Sequence, residues 1–446
     1  MTLPLMRAIV NGLRRPPVML LIVGLILPNT AFLVLSLIGI SVPPRTLPII
    51  LYLLAAASIR FLPSPAVSLL FIAALVFDIV FCATQLFGLT LAEAVFALQF
   101  INELDILNSQ LYVVLIVAVT AIFGLTFYLL LRHAKDLRHA RWTQMLILGL
   151  VAIPADIAIN TPRNSNFWLS VGRDIPFESA MINSGFIKLM EQPNGHHMLV
   201  VIVEALGHFA DPKQQRLLED ALQSSGLDAR YAITTGMSSF IGSTTASEMR
   251  ELCATRDSYL DSLDKTQPDC LPFRLNAAGY TTTGYHGFSA GMFQRDLWWP
   301  HIGFQQQFFG ETLQQPGERF CGDVFVGICD PVLVKRIAQQ VKAATTPQFN
   351  YLLTFNTHIP VLVDQGYKHL DCSRRGGVVP DREVCIMTDA WIELLQTIAR
   401  EWAAPDMPPV EMLIVGDHAP PLWHRKARDL FTPGQVTWFS LSPKTM

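Results

Sequence analysis

Three apolar stretches, Val18 to Ile40, Ala66 to Leu89 and Leu111 to Leu131, constrain this chain more than any other feature. Each is long enough to cross a bilayer core as a helix, which takes about 20 residues. Leu47 to Leu62 and Trp142 to Ile159 are shorter and interrupted, but beside such neighbours they read as further spans. Residues 1–160 are therefore expected to form a bundle of five transmembrane helices. Charged residues make up only 15% of the chain, and the apolar excess sits in this first third. Because several spans follow the first, a cleaved signal peptide does not account for it.

Loop charges set an orientation, since Lys and Arg collect on the cytoplasmic side. Arg7, Arg14 and Arg15 precede the first span, and Arg132, Lys135, Arg138 and Arg141 lie between the fourth and fifth. The loop between the third and fourth carries Glu93, Glu103 and Asp105 without Lys or Arg. Five spans starting inside place residues 161–195, a connector, and residues 196–446, an α/β domain, outside the cytoplasm. Six of the seven cysteines fall there, and an oxidising compartment favours disulfides. Proximity suggests Cys253–Cys270, Cys321–Cys329 and Cys372–Cys385, while the absence of Cys-x-x-Cys speaks against a zinc cluster. The net charge of −3 and the lack of a basic stripe exclude nucleic acid as a natural partner.

In the exported part, four short apolar or β-branched runs read as buried strands. Met198 to Val203 ends in Glu204, Gly279 to Tyr285 in His286, and Tyr351 to Phe355 runs on to His358. Val410 to Gly416 ends in Asp417-His418. In open α/β sheets chemistry gathers at the carboxyl ends of strands. An acid beside an imidazole suits zinc or manganese. Between the first two runs, Gly242-Ser-Thr-Thr-Ala-Ser-Glu248 precedes a helical stretch. As a plain reading this is a helix cap, with Ser247, Glu248 and Glu251 in the first turns. A helix N-terminus also welcomes a phosphate or an alkoxide.

Strand–Glu204, Gly-Ser-Thr244-Thr-Ala-Ser-Glu, His286-Gly, Arg295-Asp296, His358 and Gly-Asp417-His418 occur in one order. That order resembles the alkaline phosphatase/sulfatase superfamily. Within it, the chain is similar to membrane-anchored lipoteichoic acid synthases, phosphoglycerol transferases and phosphoethanolamine transferases. The resemblance implies a sulfatase-like sheet flanked by helices, with Glu204, Thr244, Asp417 and His418 as ligands of zinc or manganese. It makes Thr244 the nucleophile, with Thr245 and Ser243 as the nearby alternatives. It makes His286, Arg295 and His358 the phosphate and head-group contacts. The implied activity moves a phospho-head-group, phosphoethanolamine or glycerol phosphate, from a phospholipid donor to a glycan or glycolipid acceptor at a bacterial inner membrane. The rivals are a hydrolase of the same fold and a non-catalytic membrane scaffold. Two departures stand out. Phe293 replaces the family's tryptophan, and the chain after His418 leaves a role for His424 at a second metal open.

Three further features call for a reading. Cys270-Leu-Pro-Phe-Arg274 fits the formylglycine motif of true sulfatases, but it follows Thr244 and leads into a helix, so Cys270 reads as a half-cystine. Asp78 and Asp156 lie within spans, where acids are functional candidates by default. The loop from Thr90 to Gln110 alternates apolar and polar residues, as a helix lying on the membrane interface does.

Overall fold

The computed structural model describes residues 15–87, 89–139, 141–160, 176–191, 194–361, 366–373 and 376–444. The chain divides into two compact units. Among the described residues, a helical unit holds 15–95, 110–160 and 423–425, and an α/β unit holds the rest, including 96–109. Arg7, Arg14 and the first part of the expected connector, 161–175, lie outside the described residues.

In the helical unit four helices are long and apolar enough to cross a membrane: Pro16–Leu37, Ser64–Gln85, Tyr112–Arg132 and Thr143–Asn160. The expected second span, over Leu47 to Leu62, is in the structure the 13-residue helix Thr46–Ser58, shorter than those four. At 1.5 Å per residue it covers about 20 Å, short of a ~30 Å hydrocarbon core. A turn over 59–61 ends it ahead of Pro63, whose ring disfavours helix in the residue before it. Val23, Tyr52, Ala56, Val67 and Phe71 fill the inside of the bundle, while Leu33, Leu69, Val114 and Leu150 are exposed on its flanks. Both intramembrane acids have partners inside this unit. Asp78 accepts from Arg45 Nε at 3.0 Å and Tyr52 OH at 3.1 Å. Asp156 accepts from Arg45 N at 2.6 Å and Asn160 Nδ2 at 2.8 Å. His424 belongs here too. It bridges Ile40 through its main chain, and Arg425 Nη2 donates to Ser36 O at 3.1 Å.

The α/β unit is built on β1 (His197–Val203), β2 (Gly207–Phe209), β3 (Tyr231–Ser239), β4 (Thr281–His286), β5 (Gln306–Phe308), β6 (Phe320–Cys321), β7 (Gly327–Ile328), β8 (Gln348–Leu353), β9 (Val410–Gly416) and β10 (Phe431–Pro443). Its main sheet runs β2-β10-β9-β1-β8-β4-β5, with β3 also paired to β10 and β6–β7 forming a separate pair. The stretch β9-β1-β8-β4-β5 is parallel, and β10 is antiparallel to its neighbours. β1, β8 and β9 are almost entirely buried, and β1 and β9 are largely apolar, as parallel strands covered on both faces are.

The longer helices of this unit among the described residues are α1 (Pro212–Gln223), α2 (Thr244–Cys253), α3 (Leu271–Ala277), α4 (Asp330–Ala343) and α5 (Arg382–Trp402). Met198, Val200 and Ile202 of β1 pack into one core with Met249 and Leu252 of α2, Leu275 of α3, Trp298 and Trp299. Each such buried side chain contributes about 1.5–3 kcal/mol. α1 and α4 each pack on α5, and Val203 shares a small cavity with Trp391 and Leu394 of α5. Residues 96–109 add an aromatic patch, where Phe100 clusters with Phe288, Met292 and Phe355. The three disulfides are Cys253–Cys270, Cys321–Cys329 and Cys372–Cys385, with Cys82 a free thiol. Cys270 is thus a half-cystine at the start of α3, as its place in the sequence suggests.

Candidate metal centre

The strand register decides what meets at the carboxyl edge of the sheet. Val203 of β1 lies opposite Gly416 of β9, Ile202 opposite Leu353 of β8, and Leu353 opposite His286 of β4. Glu204 and Asp417 therefore leave the sheet at one level, with His286 level with Ile202, two residues before Glu204, and Thr354 beside them. Gly416 is required by close approach, since a Cβ there would stand 2.0 Å from Leu206 O. The same holds for Gly287, where a Cβ would meet Ile328 O at 2.5 Å.

Glu204, Asp417 and His418 each present a donor atom, all within 4.8 Å of one another. His418 Nε2 is 3.3 Å from Asp417 Oδ2 and 3.9 Å from Glu204 Oε1. Asp417 is held by its other oxygen: Oδ1 accepts from Ala205 N at 2.7 Å and from His418 N at 2.6 Å. Ala205 adopts a left-handed conformation, φ 58°, to turn that N–H inward. For an alanine this costs on the order of 1 kcal/mol.

Thr244 arrives from the other direction, as the first residue of α2. Ser243 caps the helix, its Oγ accepting from Ala246 N at 3.3 Å. Thr244 Oγ1 then donates to Asp417 Oδ2 at 2.9 Å and lies 3.5 Å from His418 Nε2. Thr245 is buried against Ser243. Glu204 and Asp417 are buried, while Thr244 and His418 are only half-buried and form the open side of the cluster.

Three imidazoles share one arrangement. Nδ1 of His418 meets Ala419 O at 3.1 Å, that of His358 meets Ile359 O at 2.9 Å, and that of His286 meets Leu353 O at 3.0 Å. A carbonyl only accepts, so Nδ1 carries the proton and Nε2 keeps its lone pair. Burial lowers the proton affinity of His286 to a pKa of about 3 and that of His358 to about 4, so both are neutral at physiological pH. Burial first, and then the Asp417 charge, hold the Glu204 carboxyl well above the usual range. Two carboxylates, an imidazole nitrogen and a hydroxyl fit zinc or manganese by donor type. A divalent cation would also relieve the crowding of acids that raises Glu204.

Arg295 is placed differently from the cluster residues. Its Nε donates to Glu248 Oε2 at 3.1 Å, and its Nη2 lies 3.0 Å from the same oxygen. Its charge still acts on Glu204 and His286. Phe293, where the family carries tryptophan, lies under the Arg295 guanidinium, 5.4 Å from ring centroid to Cζ. His358 packs its ring on Phe325 at 3.8 Å. His424 is not part of the cluster.

Sequence reasoning missed the groups that hold this arrangement. Glu248 accepts from Arg295, Trp299 Nε1 at 3.0 Å and Tyr351 OH at 3.1 Å. Glu251 accepts from Ser179 Oγ at 2.8 Å and from Ala180 N and Met181 N. Arg250 donates to Gly416 O at 3.0 Å, which ties α2 to the end of β9. The available signal was spacing. Glu248, Glu251 and Leu252 stand at i, i+3 and i+4, on one inward stripe of a helix.

Among known proteins, the sulfatase family model matches residues 219–376. Residues 219–376 of the α/β unit are thus similar to the sulfatase family. Several solved structures are similar. One is the lipoteichoic acid synthase LtaP from Listeria monocytogenes, at 16% identity and TM-score 0.42, over 56% of this chain and 66% of that one. Another is the phosphoglycerol transferase GacH from Streptococcus pyogenes in complex with sn-glycerol-1-phosphate, at 16% identity and TM-score 0.37, over 59% and 74%. A third is the C-terminal periplasmic domain of EcEptC from Escherichia coli in complex with Zn, at 15% identity and TM-score 0.37, over 56% and 73%. The match to LtaP spans just under two thirds of that protein's length. No curated protein matches.

Proposed function

We propose that the chain is a membrane-bound, metal-dependent transferase that moves a phospho-head-group from a phospholipid to an extracytoplasmic glycan or glycolipid. The observation that carries this reading is Thr244 Oγ1, set at a helix N-terminus and hydrogen-bonded into a cluster of two carboxylates and an imidazole. Glu204, Thr244, Asp417 and His418 would hold the metal, zinc or manganese. When bound, it lowers the proton affinity of a hydroxyl and neutralises phosphoryl charge. Asp417 Oδ2 orients the Thr244 hydroxyl. Oγ1 attacks phosphorus, an Oγ1–P bond forms, and the P–O bond to glycerol breaks. Diacylglycerol leaves with the proton. An acceptor hydroxyl then attacks phosphorus, breaks the Oγ1–P bond and returns Thr244. Neutral His286 and His358, with Nε2 as acceptors, would take hydrogen bonds from the ammonium or hydroxyls of the head group, and the Arg295 charge would act on the phosphate. The head group is phosphoethanolamine or glycerol phosphate.

The hydrolase reading draws on the sulfatase family model, and water would then replace the glycan. The two separate in one assay. The full chain is reconstituted in vesicles of phospholipid labelled in the head group, with and without a crude glycolipid extract. Label appearing on the extract, with equal release of diacylglycerol, supports transfer. Label appearing only as free phospho-head-group supports hydrolysis, and no turnover leaves the scaffold reading.

Orientation is tested apart from chemistry. Four full-length helices starting inside would return the chain to the cytoplasm, so the proposal needs Thr46–Ser58 to complete a crossing. Disulfides in the α/β unit and the basic loop after Arg132 support an exported site. A reporter active only outside the cytoplasm is expected to be active after Met446 and silent at Arg138. The reverse pattern would place the α/β unit inside.

A further inference from the structure

β8 ends at Leu353, and the loop that follows carries its residues to Glu204. Thr354 Oγ1 accepts from Glu204 N at 2.9 Å, and Thr357 Oγ1 donates to Glu204 O at 2.6 Å. Trp391 Nε1 reaches the same carbonyl at 3.3 Å. The main chain of Glu204 is thus gripped on both sides by residues 354–357, and the next residue is His358. Outside any strand or helix, this loop needs an external hold.

Asp330, the first residue of α4, supplies one. Its Oδ2 accepts from Asn356 N at 3.0 Å, and both its oxygens lie 3.3 Å from Phe355 N. Asn356 Oδ1 accepts in return from Asp330 N at 2.6 Å. The clasp is buried on both sides, and it joins residues 26 apart in sequence. An acid at a helix start ordinarily serves its own helix, where its charge is worth about 0.3–1 kcal/mol. Here the carboxylate bonds run across to the loop, so the helix explanation does not cover them.

We propose that Asp330 is a positioning residue of the metal centre: by clasping Phe355 and Asn356 it sets Thr357 against Glu204 and holds His358 in place. This rests on the metal reading above. Residues that orient a ligand without touching the metal typically change affinity by about 10–100-fold when altered.

The test is zinc affinity of the full chain in detergent, measured by competition with a chromophoric chelator, beside the melting temperature of the zinc-free forms. Asp330→Asn keeps the shape but, with its amide oxygen in the place of Oδ2, sets an NH₂ donor against Phe355 N. Thr357→Val removes only the hydroxyl that holds Glu204 O. Each is expected to weaken zinc binding by about tenfold or more. The double variant should be little worse than the weaker single, because both act through one contact chain. If Asp330→Asn does not fold, Asn356→Ala, which removes the return bond alone, takes its place with the same expectation. Wild-type zinc affinity in the folded variant with only the melting temperature lowered, or additive losses, would overturn the proposal. A wild-type protein that binds no zinc would overturn the metal reading itself, and this inference with it.

Discussion

Thr244→Ala abolishes head-group transfer, with an expected loss on the order of 10³-fold or more, as for other covalent nucleophiles. The substitution removes Oγ1 and little else. Alanine is the strongest helix former, and the cap of α2 is Ser243, which stays. Expression and membrane insertion should therefore be unchanged. The neighbouring hydroxyls act differently. Ser243→Ala loses a helix cap, worth about 1 kcal/mol, and Thr245→Ala loses a buried contact to Ser243. Both are expected to retain transfer within a small factor of wild type. The measurement is labelled head group moved per protein. Full transfer by Thr244→Ala, with loss in Thr245→Ala, would shift the nucleophile by one residue.

Asp417→Asn is expected to strip the metal as well as the activity. Oδ1 is fixed by two main-chain N–H groups, so an amide oxygen will settle there. The new NH₂ then points at Thr244 and His418, where a ligand and an acceptor stood. His418→Ala removes the exposed nitrogen of the cluster. Both changes should lower metal affinity by more than the ~10–100-fold seen for outer partners. Elemental analysis of purified protein reads this directly. Chelation should silence the wild type, and zinc or manganese should restore it. Undiminished metal in both variants would refute the ligand assignment.

What the sequence made legible follows from the physics of parallel sheets. β1 and β9 are covered on both faces, so each ends in an apolar run, and the polar residue after that run marks where the strand leaves the sheet. That rule located Glu204 and Asp417, and the register then brought them to one level, while His286 ended a β-branched run. Local spacing also paired the cysteines. Groups whose partners lie far along the chain stayed hidden. Glu248 looked like a first-turn acid, yet it anchors Arg295, Trp299 and Tyr351. The clasp of Asp330 on Asn356 has no local signature at all. Apolar length did not show that the helix Thr46–Ser58 stops before Pro63. Within the loop from Thr90 to Gln110, read as an interface helix, residues 96–109 contribute Phe100 to the α/β unit.

The account turns on a phosphorylated Thr244. Mass spectrometry of the Thr244-containing peptide, after incubation of the full chain with one defined phospholipid and no acceptor, tests this most directly. The expected result is a mass increase on Thr244 equal to phosphoethanolamine or glycerol phosphate, matching the lipid that reacts, and absent from Thr244→Ala. Diacylglycerol released while Thr244 stays unmodified at every time point, or the same mass found on another residue, would contradict it.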